Sequence, residues 1–508
     1  MQITALVHPG FTIGAIDRRV FGSFIEHLGR GVYEGIYEPG HPTADSDGFR
    51  GDVLNLVAEL GVTVVRYPGG NFVSGYRWED GVGPREKRPV RLDAAWHSIE
   101  TNQIGLNEFM DWAARAGVEP LMAVNLGTRG VQDALDLLEY SNFTGGTALS
   151  DLRVQHGVPQ PHGITLWCLG NEVDGPWQLG HKGAEEYGRL ARETAAAMRQ
   201  IDPGLQLVVC GSSHSHMPTF GEWESTVLEQ CYDEVDFVSL HQYYWEGEDA
   251  KGFIAAGVDL DAFIRGVIAT ADAVGAKLHS PKKIMLSLDE WNIWYPQPPV
   301  VEGVERPWSE HPRLLEDVYT VLDAVTLGGL LITILRHSDR LKMACLAQLV
   351  NVIAPIRSEP GGPVWRQTTF YPFSLTARLA RGVTLQMPVS GETISTSKFG
   401  EIAAVDSVAT WDEETGRLSV LLLNRSFDDE ANLEVDVSAF SPAGDITIVE
   451  SALMHDDDPW ATNTMDAPTR VLPKPVAARV ENGILKVALP AISWAAVSLV
   501  VPARVDPS

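Results

Sequence analysis

The chain has 508 residues, of which 44% are hydrophobic, and its formal net charge is −28 at neutral pH. That length is too great for one ordinary domain, so we expect one large domain and a smaller one. The acidic charge repels phosphate backbones, which excludes nucleic acid as a partner, whereas it is compatible with a neutral ligand.

The sequence shows no segment for targeting or for membrane insertion. The N-terminal residues lack the basic stretch and the long apolar stretch of a signal peptide. No window reaches the ~18–20 uninterrupted apolar residues of a membrane span. We therefore expect a cytoplasmic protein without a membrane partner, whose four cysteines are reduced thiols of the core.

Between residues 16 and 374, short apolar segments of strand type alternate with longer amphipathic segments of helical type. The strand segments end, in chain order, at Glu26, Gly70, Asn125, Glu172, Ser213, Tyr243, Glu290 and Leu349. The helical segments include 49–61, 105–117, 183–204, 259–275 and 311–335. The strands are apolar almost throughout, which indicates a sheet covered on both faces. Eight such strands alternating with helices predict an α/β fold, a (β/α)8 TIM barrel. A doubly wound open sheet is the alternative, which the absence of G-x-G-x-x-G after the first strand disfavours.

After about residue 375 the pattern changes to short strands separated by turn residues, without a long helical segment. This pattern is typical of an antiparallel β-sandwich of jelly-roll type. The opening residues QITALV also resemble a strand, and we expect them to join the sandwich. We therefore predict a catalytic barrel at 16–374 and a sandwich domain formed by 1–15 and 375–508.

Polar residues collect where the predicted barrel strands end. In this fold the active site lies at the carboxyl ends of the strands, so these side chains should meet there. They include Glu26, Arg66, Asn71, Asn125, Asn171, Glu172, His241, Tyr243, Glu290 and Gln348. Glu172 on strand four and Glu290 on strand seven face each other across the barrel. Such a pair of carboxyl groups suits glycoside hydrolysis, in which one group starts protonated and the other ionised.

The predicted loops after the strands carry aromatic residues, whose faces suit sugar C–H groups. These residues are Trp78, Trp96, Trp177, Trp291 and Trp294. The proline-rich segment 295–311 is long enough to cover the site. His214 and His216 could ligate zinc, but no partner set with zinc spacing follows, so we expect no metal and no cofactor.

Four stretches of the sequence resemble a known family. They are FIEHLGRGVYEGIYEPGH from Phe24, VRYPGGNFVSGYRWEDGVGP from Val65, LGNEVDGPWQLGH from Leu169 and LDEWNIWY from Leu288. Together they resemble the retaining glycosidases built on (β/α)8 barrels and, more narrowly, the family 51 α-L-arabinofuranosidases. The stretches are long and spread over the whole barrel, and the C-terminal sandwich is similar to that family's.

The resemblance implies a role for each matching residue. Glu172 matches the general acid/base and Glu290 matches the nucleophile. Arg66 and His241 match groups that keep the nucleophile ionised and oriented. The implied sugar ligands are Glu26, Asn71, Asn171, Tyr243 and Gln348, with Trp96 and Trp294 near the pocket mouth.

The resemblance also implies an activity and an assembly. We expect a retaining, exo-acting α-L-arabinofuranosidase that removes terminal arabinofuranosyl groups from neutral arabino- and arabinoxylo-oligosaccharides. A β-xylosidase or another retaining barrel glycosidase is the alternative within the enzymes. A non-catalytic sugar-binding protein on a degenerate barrel is the alternative outside them, and the presence of both Glu172 and Glu290 disfavours it. Resemblance to the family further implies a homohexamer.

Overall fold

The fold is described from a computed structural model of the chain, over residues 1–296, 307–441 and 446–501. Most of the proline-rich segment predicted to cover the site therefore lies outside the described residues. Within them, eight parallel strands close into a barrel. The strands are Gly22–Phe24, Val64–Tyr67, Glu119–Ala123, Leu166–Leu169, Gln206–Val209, Phe237–Tyr244, Met285–Ile293 and Leu341–Leu346. We refer to them as barrel strands one to eight.

The predicted (β/α)8 barrel is confirmed. Each barrel strand pairs in parallel with the next one along the chain, and strand eight closes the ring by pairing Cys345 with Gly22. The strands are almost completely buried because helices cover the barrel on the outside and side chains fill it on the inside.

The five helical segments named from the sequence contain helices, one of which begins later than predicted, and further helices lie between and after them. The bounds of the helices are Gly51–Leu60, Leu106–Ala116, Val131–Asn142, Ala148–Gln155, Ala184–Ile201, Glu222–Cys231, Ala250–Ile254, Gly257–Lys277, Val321–Arg336 and Phe370–Leu379. Short 3-10 turns occupy Arg18–Phe21, Asn71–Gly75, Trp78–Gly81, Arg85–Lys87 and Ser438–Phe440. Across the described parts of the chain, no helix combines the length and the apolar character that a membrane crossing requires.

The helix that begins later lies in the segment predicted as helical from residue 311 to 335, which becomes helical only at Val321. Thr320 caps the helix by accepting a hydrogen bond from the Asp323 amide at 3.2 Å. The preceding residues form a loop because the carboxylate of Glu316 binds two buried guanidinium groups, those of Arg30 and Arg357. Those ion pairs outweigh the helical propensity of the segment.

Two sheets form the sandwich. One contains, in spatial order, Val389–Gly391, Gln2–Leu6, Ala431–Asp436, Ile484–Leu489 and Ala477–Glu481. The other contains Thr12–Ala15, Val383–Leu385, Val405–Asp412, Arg417–Asn424, Ser493–Val500 and Thr447–Met454. The pairings are antiparallel except that of Gln2–Leu6 with Ala431–Asp436, which is parallel. The opening strand therefore lies inside a sheet whose other strands come from the end of the chain.

Small two-stranded sheets complete the fold. They are formed by Arg91–Asp93 with Ser98–Glu100, by Ile356–Ser358 with Val364–Arg366, and by Thr393–Thr396 with Gly400–Ala403. The first of these pairs belongs to the long loop after barrel strand two, which forms one side of the active-site mouth.

One apolar cluster spans the barrel and the sandwich face that packs on it, and the sandwich has a second cluster between its sheets. The helix Val321–Arg336 is buried along almost its whole length, and Gly328 lies against the indole of Trp494, where an added methyl group would clash. At the end of this helix Arg336 pairs with Asp406 of the sandwich, which also binds Arg425. The predicted domain boundary at residue 374 falls inside the helix Phe370–Leu379, whose packing against barrel helices favours a boundary near residue 380.

Candidate active site

A pocket of about 540 Å³ opens at the carboxyl ends of the barrel strands. Its floor is polar and buried, whereas its mouth is aromatic and half exposed. The polar lining residues include Glu26, Asn71, Glu172, Tyr243, Glu290 and Gln348. The rings around them are Phe24, Trp96, Trp177, His214, Trp245 and Trp294. A pocket of this shape receives the end of a chain and leaves the rest outside.

Glu290 stands near the end of barrel strand seven with both oxygens engaged. Oε1 accepts a hydrogen bond from Arg66 Nη1 at 2.7 Å, and Oε2 accepts one from the Tyr243 hydroxyl at 2.8 Å. Burial and the nearby carboxylates raise the pKa of Tyr243 well above its ordinary value, so its hydroxyl remains a donor. These two donors fix the carboxylate in one orientation.

Glu172 follows barrel strand four in a sharp turn of the chain. Gly170 and Glu172 both have a positive φ, of 98° and 40°, and such strain in a residue other than glycine is frequent at functional sites. The Trp177 indole donates to Glu172 Oε2 at 2.7 Å. Burial raises the pKa of Glu172, and the negative charge of Glu290 raises it further, which favours a protonated carboxyl group.

His241 connects Glu172 to a further carboxylate, that of Asp289. Its Nδ1 shares a 2.9 Å hydrogen bond with Glu172 Oε1, and its Nε2 shares one of the same length with Asp289. Burial opposes a charged imidazole, but the carboxylates of Glu290, Asp289 and Glu172 raise the pKa of His241 well above its ordinary value. Asp289 is buried as well, and the charge of Arg66 together with the hydrogen bond to His241 lowers its pKa.

The two carboxyl groups are close together. An oxygen of Glu172 lies within 4.8 Å of an oxygen of Glu290, and a His241 nitrogen lies within the same distance of both. Retaining glycosidases hold their carboxyl groups about 5–5.5 Å apart, whereas inverting ones need roughly 6.5–9.5 Å to admit a water. Three such groups could also hold a cation, but the Glu290 oxygens already accept hydrogen bonds from Arg66 and Tyr243, and Glu172 and His241 Nδ1 are hydrogen-bonded to each other.

Glu26 forms the opposite wall of the floor. Its Oε1 accepts hydrogen bonds from the Phe72 amide at 2.8 Å and from the Trp96 indole at 2.9 Å, and Gln348 Nε2 donates to Oε2 at 3.2 Å. Burial raises the pKa of Glu26 to about 8. A carboxyl group that keeps its proton at neutral pH can donate a hydrogen bond to a sugar hydroxyl as well as accept one.

Asn171 presents a donor with no hydrogen-bond partner among the described residues. Arg66 Nη2 donates to Asn171 Oδ1 at 2.8 Å, which fixes the side-chain amide and leaves its buried Nδ2 unpaired. A methyl group added at Gly70 would lie 2.8 Å from Glu290 and 3.5 Å from this nitrogen, so both groups face the same space. A buried unpaired donor is costly unless a ligand satisfies it.

The structure brings together every residue that the resemblance implies. Arg66 and His241 lie beneath the pocket and bind its carboxylates, Asn171 binds Arg66, and the others line the pocket. His241 is closer to Glu172, at 2.9 Å, than to Glu290, at 3.6 Å. The roles of these residues stay predictions.

Three strand-end and loop candidates lie away from the pocket. Trp78 and Trp291 are buried in the apolar core. Asn125 fixes its own loop by donating from Nδ2 to the Tyr76 carbonyl at 2.9 Å and by accepting from the Thr128 amide. None of these three residues lines the pocket, and their contacts stabilise the core and the loop instead.

Sequence analysis assigned no role to Asp289, Trp245 or Leu315, which contribute to the site. Asp289 anchors His241, whereas Trp245 and Leu315 line the pocket. Asp289 carries a signal in the sequence, since it precedes Glu290 at a strand end. Leu315 lies in the segment predicted as a helix, and no sequence pattern marks it. His214 lines the mouth and stacks on Trp177 at 6.0 Å.

A (β/α)8 barrel with two buried carboxyl groups at this separation, under a polar pocket with aromatic rings at its mouth, defines the protein as a glycoside hydrolase.

Comparison with known proteins narrows this class. Residues 56–255 match a family model described as the α-L-arabinofuranosidase 1 domain, and residues 289–493 match the α-L-arabinofuranosidase C-terminal domain. The intracellular exo-α-(1→5)-L-arabinofuranosidase of Streptomyces lividans is 55% identical over 98% of this chain and 75% of its own length. The exo-α-(1→6)-L-arabinofuranosidase of Bifidobacterium longum is 54% identical over 97% of this chain and 96% of its own.

Solved structures agree with these relatives. A family 51 α-L-arabinofuranosidase from Bifidobacterium longum superposes with a TM-score of 0.93 at 48% identity, covering 98% of this chain and 99% of that one. An α-L-arabinofuranosidase from Thermotoga maritima, solved as an arabinose complex, superposes with a TM-score of 0.87 at 30% identity over the same shares. The chain belongs to the family 51 α-L-arabinofuranosidases.

Proposed function

We propose that the protein is an exo-acting, retaining α-L-arabinofuranosidase that releases terminal arabinofuranose by two successive displacements. The observation that carries this proposal is the approach of Glu172 and Glu290 to within 4.8 Å, at the floor of the pocket. This spacing leaves no room for a water between carboxyl group and sugar, so a carboxylate must attack the anomeric carbon itself.

In the first displacement, Glu290 attacks C1 of the terminal arabinofuranosyl group. Arg66 and Tyr243 hold the carboxylate toward the sugar. As the bond between C1 and the leaving-group oxygen breaks, Glu172 donates its proton to that oxygen. We assign the unpaired Asn171 amide as a donor to the 2-hydroxyl, an interaction that strengthens in the transition state. The product is a glycosyl-enzyme ester on Glu290.

In the second displacement, water replaces the departed group and Glu172 acts as the base. The ester has removed the negative charge of Glu290, so one cause of the raised pKa of Glu172 disappears. Glu172 takes a proton from the water, whose oxygen attacks C1 while the bond to Glu290 breaks. His241, held by Asp289, stabilises the ionised form of Glu172 between the two steps. Two inversions at C1 retain the configuration.

The shape of the pocket supports cleavage at chain ends. Glu26, Gln348 and Asn171 are almost fully buried, whereas Trp177 and Trp245 are about half exposed, at 49% and 52%. One sugar therefore fits the floor and the remainder of the substrate contacts the mouth. Relatives of this chain are named for (1→5) and for (1→6) cleavage, so we propose arabino- and arabinoxylo-oligosaccharides as the substrate class without fixing a linkage.

We also propose a cytoplasmic location and a homohexameric assembly. Relatives from Streptomyces, Acetivibrio and Bacillus are named intracellular, and imported oligosaccharides are the substrates available there. The hexamer rests on the resemblance to the family. Light scattering coupled to size-exclusion chromatography tests it, and a mass far from six times 55.5 kDa would contradict it.

The proposed activity is tested with two chromogenic substrates and two measurements on the reaction. We expect rapid hydrolysis of an aryl α-L-arabinofuranoside and much slower hydrolysis of the β-D-xylopyranoside; the opposite preference favours the xylosidase alternative, and no hydrolysis of either favours a binding protein. NMR of the first-formed sugar should show the substrate's α configuration. Mass spectrometry of a trapped intermediate should place the sugar on Glu290, and an inverted product or another labelled residue would contradict the mechanism.

A further inference from the structure

The loop after barrel strand six, residues 245–249, connects the pocket with the sandwich domain. We call it the strand-six loop. Its first residue, Trp245, lines the pocket mouth with about half of its surface exposed. The next residue, Glu246, contacts the sandwich instead, where its Oε1 accepts a hydrogen bond from the Trp460 indole at 3.2 Å. Adjacent residues of one loop thus contact the substrate pocket and the second domain.

The backbone around Trp460 is itself fixed to the barrel. The Pro459 carbonyl accepts a hydrogen bond from the Leu322 amide at 2.8 Å, and the Ala461 carbonyl accepts one from the Val321 amide at 3.0 Å. Both donors belong to the first turn of the buried helix Val321–Arg336, where backbone amides lack partners inside the helix. The backbone that carries Trp460 is therefore anchored to the barrel, and its indole donates to the strand-six loop from that position.

The other end of the strand-six loop is held in the same way. Asp249 Oδ1 accepts a hydrogen bond from the Gly252 amide at 2.9 Å and so caps the short helix Ala250–Ile254. Asp249 Oδ2 accepts a hydrogen bond at 2.6 Å from the hydroxyl of Ser397, which lies in the turn of a sandwich hairpin. Side chains of the sandwich domain therefore bind the strand-six loop at two positions, Glu246 and Asp249.

A short exposed loop without such contacts samples many conformations, and a ligand that contacts it must offset the entropy of ordering it. The hydrogen bonds from Trp460 and Ser397 order the strand-six loop before the substrate binds. We infer that Trp460, with Ser397, holds Trp245 in place against the leaving-group part of the substrate, and that Trp460 is a positioning residue for oligosaccharide substrates. This inference rests on the proposed function, because it assigns the pocket floor to the terminal arabinose.

The variant Trp460→Phe tests the inference, since it removes the indole donor and keeps an aromatic ring. We expect the KM for an α-linked arabinotriose to rise about three- to tenfold, the range for loss of one ordinary hydrogen bond at a solvent-exposed position, with kcat unchanged. The inhibition constant of free L-arabinose should not change, because that sugar fills only the floor. Ser397→Ala should act in the same direction.

A matched control and a double variant separate positioning from other effects. Thr415 donates to Asp412 inside the sandwich at 2.7 Å, so Thr415→Val removes a similar hydrogen bond away from the loop and should leave all constants unchanged. On a Trp245→Ala background, Trp460→Phe should add nothing to the KM. An unchanged KM in Trp460→Phe, an equal effect on L-arabinose, or full additivity would overturn the inference. A parent enzyme that does not hydrolyse arabinotriose would instead refute the proposed function.

Discussion

Replacing Trp177 by Phe removes one hydrogen bond from the proposed acid/base and keeps an aromatic ring at the pocket mouth. The indole donates to Glu172 Oε2 at 2.7 Å. A hydrogen bond to a charged group contributes roughly 1.5–3 kcal/mol, which we discount to about 1 kcal/mol because Trp177 is half exposed. This donor stabilises the carboxylate more than the carboxylic acid, so its loss raises the pKa of Glu172. One pKa unit corresponds to about 1.36 kcal/mol, and the expected rise is therefore about 0.7 units.

The pH dependence of kcat/KM reports this change, because the free enzyme needs Glu172 protonated for the first displacement. With a substrate that has a poor leaving group, the alkaline limb of the profile should move upward by about 0.7 pH units in Trp177→Phe. Trp294→Phe is the matched control, since the Trp294 indole nitrogen has no hydrogen-bond partner among the described residues. The reasoning would be refuted if the alkaline limb of Trp177→Phe stayed in place or moved to lower pH, or if it moved equally in Trp177→Phe and Trp294→Phe.

Three further predictions concern other groups. Glu172→Ala should slow poor leaving groups far more than activated aryl glycosides, and azide should restore turnover with an α-configured azide product; equal losses without azide rescue would contradict the acid/base role. Glu26→Gln should retain more activity than Glu26→Ala. Because burial raises the pKa of Glu26 to about 8, the KM of the parent enzyme should rise above that pH, whereas the KM of Glu26→Gln should not. A parent KM that does not change with pH would contradict this. Asp406→Asn should lower the free energy of unfolding in urea by about 3–5 kcal/mol, because it leaves the Arg425 guanidinium buried and unpaired; a loss below 1 kcal/mol would argue against the pair. Although burial opposes the charge, Arg425 and Arg336 hold the pKa of Asp406 below its ordinary value. The contribution of Asp406 to the free energy of unfolding is therefore complete above about pH 4 and should decrease as the pH falls further. This decrease should occur in the parent protein and not in Asp406→Asn.

The sequence predicts the barrel and the two catalytic candidates because both depend on local pattern and chain order. Apolar strands that alternate with helices define the ring, and polar residues at strand ends must then face one side. Glu172 and Glu290 are predictable on this basis. The start of the helix at Val321 is not, because the ion pairs of Glu316 that keep the preceding segment in a loop come from residues far away in the chain.

The finer arrangement of the site depends on side-chain direction, which sequence alone does not provide. Trp177 and Trp78 both follow barrel strands, yet one reaches Glu172 and the other packs in the core. Asp289 directly precedes Glu290, and successive residues of a regular strand point to opposite faces. Irregular pairing between barrel strands six and seven, and between seven and eight, places Asp289 against His241 instead.

The position of the strand Gln2–Leu6 inside a sandwich sheet constrains how the protein folds. This strand pairs with Ala431–Asp436, more than 400 residues later in sequence, so it has no partner until most of the chain has been synthesised. Closing so long a loop is slow, and an unpaired apolar strand is prone to aggregate while it waits. A C-terminal fragment that begins near residue 380 would lack Gln2–Leu6, which is an interior strand of its sheet rather than an edge strand. The two domains are therefore separate units of architecture but a single unit of folding.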